Sequence, residues 1–301
     1  MSKVKFLSNT LNKEKFLGLL KTYLIARGIN VLSSTADADV LMCREAVERS
    51  YESDVSLVGD DTDLLIILLH MTRHQAFDHK LFLTTKHHVY DIEDVRNKLG
   101  QNTVNSILLA HAFTGCDTTS RIHGVGKDKL FKILNSVESG IVETFYTVNS
   151  SVPQVKAAGE QLFLQLISSS ALSLDESRLA AIEQKASSSS SDIKCQQLPP
   201  TTSAAEQHSY RVYLQIQEWN EISGLKAEAW GWRFKNEEYL PVTSLMAAAP
   251  KELLDNIHCS CTKSGCTSSC SCRKANLPCG AACLKCQDNC TNQPSQEPTF
   301  N

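Results

Sequence analysis

Nine of the twelve cysteines lie between Cys259 and Cys290, in the stretch CSCTKSGCTSSCSCRKANLPCGAACLKCQDNC, and nothing else in the chain so narrows what a segment can fold into. The spacing is C-x-C-x4-C-x3-C-x-C-x6-C-x3-C-x2-C-x3-C, while Cys43, Cys116 and Cys195 are scattered. No basic segment followed by an apolar one opens the chain, so secretion is not indicated, and an intracellular, nuclear setting is expected. In such a setting a cysteine cluster reads as a metal site and not as a disulfide framework. Thiolates are the preferred soft ligands of Zn²⁺, and the C-x-C pairs let neighbouring sulfurs share ions. Nine thiolates cannot be divided into whole four-sulfur sites, so bridging sulfurs in a multi-zinc cluster are expected from Cys259, Cys261, Cys266, Cys270, Cys272, Cys279, Cys283, Cys286 and Cys290.

The remaining sequence is that of an ordinary globular protein. At 301 residues it has room for one large domain or two smaller ones. A net charge of −3 gives no bulk attraction to nucleic acid, so any such binding must come from local patches. The longest aliphatic run, LLIILL at 64–69, is too short to span a bilayer, and no membrane partner is expected.

The first part of the chain alternates helix and strand. KEKFLGLLKTYLIARG reads as an amphipathic helix with Phe16, Leu19, Leu20, Tyr23 and Leu24 on one stripe, followed by a short strand at INVLS and a helix over 38–50. VSLVG at 55–59 suits a strand buried on both faces. LFLTT, a KHH turn and VYDI suggest a hairpin, and helices follow near 92–99 and 103–114. This alternation predicts an α/β layer with a mainly parallel sheet flanked by helices. Beyond about residue 130 helix follows helix, over 127–137, 153–169 and 175–186. The expected organisation is an α/β domain over 1–140, a helical extension over 141–186, a flexible linker over 187–206, a small unit over 207–250 built on YRVYLQIQEW, and the cysteine module over 257–292.

Two acidic pairs mark the α/β part: Asp37 and Asp39 in TADADV, and Asp61 and Asp63 in VGDDTDLL. Each follows a predicted strand, and carboxylates at the carboxyl ends of parallel strands converge where open α/β sheets bind ligands. Clustered carboxylates repel unless a cation neutralises them, which points to Mg²⁺ or Mn²⁺ and to phosphodiester hydrolysis. Taken singly, each pair has an ordinary alternative as a helix N-cap or turn. A third signal is GCDTTSRIHGVGK at 115–127, in which Asp117 precedes Gly124 and Gly126. A G-x-G between two short helices has the shape of a helix-hairpin-helix, here near 115–130. Its glycines allow close backbone approach, and the N–H groups at the next helix start can hold a DNA phosphate. Arg121, Lys127 and Lys129 add positive charge there.

The ordered set DAD, VGDDTDLL and GCDTTSRIHGVGK resembles the flap endonuclease and 5′-nuclease superfamily, which has a PIN-like fold. The resemblance covers roughly residues 1–140 and implies metal-ligand roles for Asp37, Asp39, Asp61, Asp63 and Asp117, and the hairpin role for Gly124 and Gly126. The family also carries a strand-borne aspartate near its N-terminus. No Asp precedes Asp37 here, so the resemblance implies an N-terminally truncated nuclease with an incomplete ligand set. The cysteine stretch is similar to the tesmin-type CXC domain, whose nine cysteines hold three zincs. In DNA-binding members a tyrosine precedes the fourth cysteine; here Ser269 stands there, leaving Arg273 and Lys274 to contact phosphate. The combination resembles animal proteins associated with mobile elements. Two readings follow: a Mg²⁺-dependent nuclease directed by DNA structure, or a non-catalytic adapter binding nucleic acid or chromatin protein through the hairpin and the zinc module.

Overall fold

A computed structural model describes residues 3–34, 37–76, 78–134, 137–188, 197–242, 244, 259–261, 266–279, 283, 286 and 290–292. The chain divides into two compact units, Met1–Lys98 and Leu99–Asn301.

The first unit opens with α1 (Lys3–Leu7) and α2 (Thr10–Ile25). The expected inward stripe of α2 is not buried: Leu19 is 73% exposed, and Phe16, Leu20 and Tyr23 are exposed too. Leu11, Leu17 and Ile25 spread further apolar positions around the helix, so no single face is set apart for a core. The strand expected at 29–33 is absent, because this segment meets no ladder partner among the described residues.

α3 (Asp39–Arg49), β1 (Val55–Val58), α4 (Thr62–Met71), β2 (Leu81–Thr84), β3 (Val89–Asp91) and α5 (Ile92–Leu99) follow. The sheet has the order β1-β2-β3. β1 runs parallel to β2, with Val55 opposite Leu81 and Val58 opposite Thr84, and β3 runs antiparallel to β2. This is a mixed α/β arrangement around a small sheet; the predicted mainly parallel sheet is not found. β1 lies at its edge, which leaves Val58 74% exposed where burial on both faces was expected. Two aspartates fix the register. Asp54 accepts the Lys80 N–H and Asp60 accepts the Lys86 N–H, each at 2.8 Å, so both ends of β1 are tied to the ends of β2. Cys43, Val47, Leu64, Ile67, Leu68, Leu81, Leu83 and Ile92 are buried here.

In the second unit the helix predicted over 103–114 is broken at Ser106 into α6 (Gln101–Asn105) and α7 (Ile107–Thr114). The Ser106 hydroxyl donates back to the Asn102 carbonyl at 3.0 Å, the local competition with helix bonding that serine favours. α8 (Lys127–Leu134), α9 (Ser139–Tyr146), α10 (Val152–Leu166), α11 (Leu174–Ser188) and α12 (Thr202–Trp219) complete the helical part. Residues 189–196 of the expected linker lie outside the described residues. Its last part is helical, because the Thr201 hydroxyl caps α12 by accepting the Ala204 N–H. Trp230 packs on Tyr213 with ring centroids 4.3 Å apart, ahead of the hairpin β4 (Trp232–Lys235) and β5 (Glu238–Pro241).

Twelve of the eighteen residues of α12 are buried, among them the polar His208, Ser209, Arg211, Gln215 and Gln217. His208 Nε2 bonds the Phe113 carbonyl at 3.0 Å, Tyr213 donates to the Thr147 and Val148 carbonyls, and Gln217 donates to the Phe145 carbonyl at 2.8 Å. These acceptors lie at the C-terminal ends of α7 and α9, where helix carbonyls lack intrahelical donors. α10 packs close alongside: a Cβ on Gly159 would fall 1.9 Å from Ser209 Oγ, so only glycine fits. No helix among the described residues is long and apolar enough to cross a membrane.

Burial moves His208 from the ordinary 6.5 down to about 4, against the pull of its carbonyl bond. The depressed value means that, as pH falls from 6.5 to about 4, the unfolded chain binds a proton that the folded chain refuses. Stability is therefore expected to fall across that window, by on the order of 3 kcal/mol for this group, and to level off below it. Urea titrations of the wild type and His208→Gln at pH 7.5 and pH 4.5 check this, with the variant expected to show the smaller pH dependence.

Candidate metal centres

The acidic cluster is built at the end of the edge strand. Asp39 opens α3, Asp61 is the N-cap of α4, and Asp63 stands in the first turn of α4. Helix N-termini attract negative charge, so the backbone favours carboxylates at these positions. The Asp61 carboxylate accepts the Asp63 N–H at 3.0 Å, which fixes its direction. The result is that one carboxylate oxygen from each of Asp39, Asp61 and Asp63 lies within 4.8 Å of the others. Opposite oxygens around Mg²⁺ are about 4.2 Å apart, so the trio's upper bound is comparable to, and slightly above, the width of one coordinated cation. Asp37 is not a member of this group; it is exposed and accepts the Asp39 N–H at 3.4 Å. Asp60 is held by Lys86 through its amide and its ammonium, the latter at 2.8 Å. Beneath the cluster, burial and then the charge of Asp39 raise the Cys43 thiol, making it inert.

Asp117 belongs to the second unit, exposed in the connection between α7 and α8. α7 is buried throughout, so from this region only the connection and the start of α8 face solvent. Within it the Val125 N–H closes a turn on the Ile122 carbonyl, with Gly124 at φ +72, a value that favours glycine. Gly126 accepts the Lys129 N–H at the entry to α8. Arg121, Gly124, Gly126 and Lys129 are exposed and Lys127 half-buried.

The cysteine module has sulfur in place of an apolar core. Seven of its cysteines are buried, with Cys261 and Cys290 packed against them. Three four-sulfur groups can each hold a metal: Cys259, Cys266, Cys279 and Cys286; Cys259, Cys272, Cys279 and Cys283; and Cys259, Cys261, Cys266 and Cys270. Cys259 belongs to all three groups, Cys266 and Cys279 to two each, the sharing that nine sulfurs require. The closest sulfur pairs are 3.6–3.9 Å apart, among them Cys272 with Cys283 and Cys259 with Cys286. The edge of a tetrahedron with Zn–S bonds of about 2.3 Å is about 3.8 Å, so the donor set fits zinc. Burial pushes Cys261 up to about 11 and Cys272 up to about 12, with neighbouring thiols adding to both. Cys270 is drawn the other way, to about 6: burial raises it, but the Arg273 N–H and the thiols of Cys259, Cys266 and Cys279 outweigh that. A helix of one turn (Ser271–Lys274) carries Arg273, whose guanidinium donates to the Cys266 carbonyl at 3.1 Å, and the exposed Lys274; Ser269 is exposed ahead of Cys270.

Sequence reasoning passed over Arg178 and Arg211, both buried beside a cleft of about 820 Å³ in the second unit. The available signal was an arginine inside YRVYLQIQEW, a segment otherwise suited to burial. Comparison with known proteins finds no matching family model, no matching curated protein and no matching solved structure.

Two outcomes are expected from these geometries. Asp61→Ala costs about 1 kcal/mol through loss of the cap, whereas Asp61→Asn keeps the cap; both lose the rise in melting temperature that Mn²⁺ gives the wild type. In the cysteine module, loading with Co²⁺ and reading the thiolate-to-cobalt absorption should show a larger loss for Cys259→Ser than for Cys290→Ser, which is in none of the three groups. Because thiols with raised values release protons when they bind metal, the absorption falls as pH is lowered.

Proposed function

We propose that the protein is a nuclease-like, divalent-cation-dependent phosphodiesterase acting on DNA, with Asp39, Asp61 and Asp63 as the cation ligands. The observation that carries this reading is the convergence of three carboxylates from two helix starts within 4.8 Å. A bound Mg²⁺ or Mn²⁺ supplies Lewis acidity at a phosphoryl oxygen and lowers the pKa of a coordinated water. The chain's own residues orient the ligands: the Asp63 N–H aims the Asp61 carboxylate, and Asp37 anchors the first turn of α3 through the Asp39 N–H. Arg121, Lys127, Lys129 and the Gly124–Gly126 turn offer positive charge and open backbone to strand phosphates, the composition suited to structure-directed rather than base-specific binding. The cysteine module would hold zinc, three ions on the reading from its nine cysteines, and Arg273 and Lys274 on its surface would add phosphate contacts, as suits a nuclear protein.

A second reading, a non-catalytic adapter for nucleic acid or chromatin protein, is favoured by one observation. The carboxylates of Asp37 and Asp61 already accept backbone N–H groups as ordinary helix-start residues do. Cleavage of labelled flap, hairpin and single-stranded DNA with Mg²⁺ or Mn²⁺ separates the two. The nuclease reading expects cutting that drops by on the order of 10²–10³ in Asp61→Asn/Asp63→Asn, comparable to removing one oriented catalytic donor. DNA binding without cutting in the wild type would leave the adapter.

A further inference from the structure

We propose that the second unit carries a binding cleft for a phosphate monoester on an apolar body of nucleotide size, read by Arg211 and Arg121. The cleft, about 820 Å³, lies among the 120–125 connection, α10, α11, the start of α12 and the end of β5. That volume is within the range that encloses small organic ligands. Its lining contains Arg121, Arg178, Arg211, His123 and His208 and no carboxylate among the described residues.

Arg211 gives the cleft its ligand chemistry. The residue is only 7% exposed, and its guanidinium donates to the Gly231 carbonyl at 3.3 Å. No carboxylate pairs with it among the described residues, and burial alone lowers its pKa. A buried guanidinium without a counter-charge is costly, and a group with five N–H donors has most of its fork left for a ligand. The same positive charge adds to the burial that holds His208 neutral. Gly231 lets this geometry form: with φ +83, a Cβ there would lie 2.8 Å from the Gln207 carbonyl and 3.0 Å from Arg211 Cγ. A second cleft that Arg211 also lines carries Glu218 and Glu228, so the acid-free cleft is the one suited to an anion.

A planar guanidinium fork matches phosphate oxygens, and exposed Arg121 at the rim supplies a second fork. Ile122, Phe163, Leu198, Pro199 and Val242 give the cleft apolar walls, which an inorganic ion would leave unused. A mononucleotide and the terminal unit of a phosphorylated strand share the required chemistry. The cleft is built from residues of the second unit alone and its ligand chemistry does not require a cation at the carboxylate cluster of the first.

Isothermal titration of the full chain, without added Mg²⁺, tests the site. Separate arms use deoxyadenosine monophosphate, a 5′-phosphorylated single-stranded oligonucleotide and inorganic phosphate. One of the first two is expected to bind at least tenfold more tightly than inorganic phosphate, and which of them binds tighter identifies the source as free nucleotide or strand end. Arg211→Met and Arg121→Gln are each expected to weaken that binding at least tenfold. Arg211→Met, which removes a buried charge, should not lower the melting temperature; Arg121→Gln alters an exposed side chain and keeps the test decisive if the other variant fails to fold. No binding of either nucleotide arm at millimolar concentration overturns the proposal. So does affinity equal to that of inorganic phosphate, or affinity unchanged in Arg121→Gln.

Discussion

The second unit depends on one arrangement: a buried helix whose polar side chains satisfy the ends of the helices around it. α7 and α9 stop inside the unit, and their last carbonyls have no intrahelical donors. Left unpaired, each would cost about 1–3 kcal/mol. α12 meets this need with His208 to Phe113, Gln217 to Phe145 and Tyr213 to Thr147 and Val148. These bonds explain how a helix can carry His, Gln, Arg and Tyr and still sit in a core. They also set its rotation and height against α7 and α9, which is what places Arg211 beside the cleft.

The carboxylate cluster has a comparable double origin. Asp61 is a sound N-cap and Asp39 a favourable first-turn residue, so local helix physics alone would select both. What local physics does not require is that the two helix starts meet. That follows from the packing of α3 against α4 and β1, with the register of β1 fixed by Asp54 and Asp60. The repulsion among Asp39, Asp61 and Asp63 is eased in part by the two helix N-termini. A cation would remove the remainder, and the proposed function rests on that difference.

Much of this was legible in the residues. The period of apolar positions marks α3, α8, α10 and α11, the KHH turn marks the β2–β3 hairpin, and D-A-D marks the start of α3; the helices α4 and α9 were not read from the sequence, D-D-T-D being placed only after a strand. The mixed sheet was not legible, because a strand's neighbours and its place at an edge depend on contacts that no local pattern encodes. The same holds for α12. Its partners lie 66 to 95 residues away in sequence, at Thr147, Phe145 and Phe113, so no local pattern marks His208 and Gln217 as the bonds that seat the helix. Spacing announced a metal module but not the hierarchy within it, in which Cys259 is shared most and Cys290 least.

That hierarchy bears on how the C-terminal module holds together. A segment this short buries too little apolar surface to fold on the hydrophobic effect alone. Its interior is sulfur, and most of these thiols are pushed upward by burial, so without a cation they remain neutral, weakly interacting groups. A bound metal would turn the same crowding into an advantage, since a thiolate shared between groups would neutralise more than one ion. Folding of the module and metal occupancy are then one equilibrium, with ligand affinity appearing directly as stability. The basic pair Arg273 and Lys274 is displayed on a single helical turn whose N-cap is Cys270 and whose Arg273 is tied to the Cys266 carbonyl. Any phosphate contact made by that surface would thus be conditional on the metal.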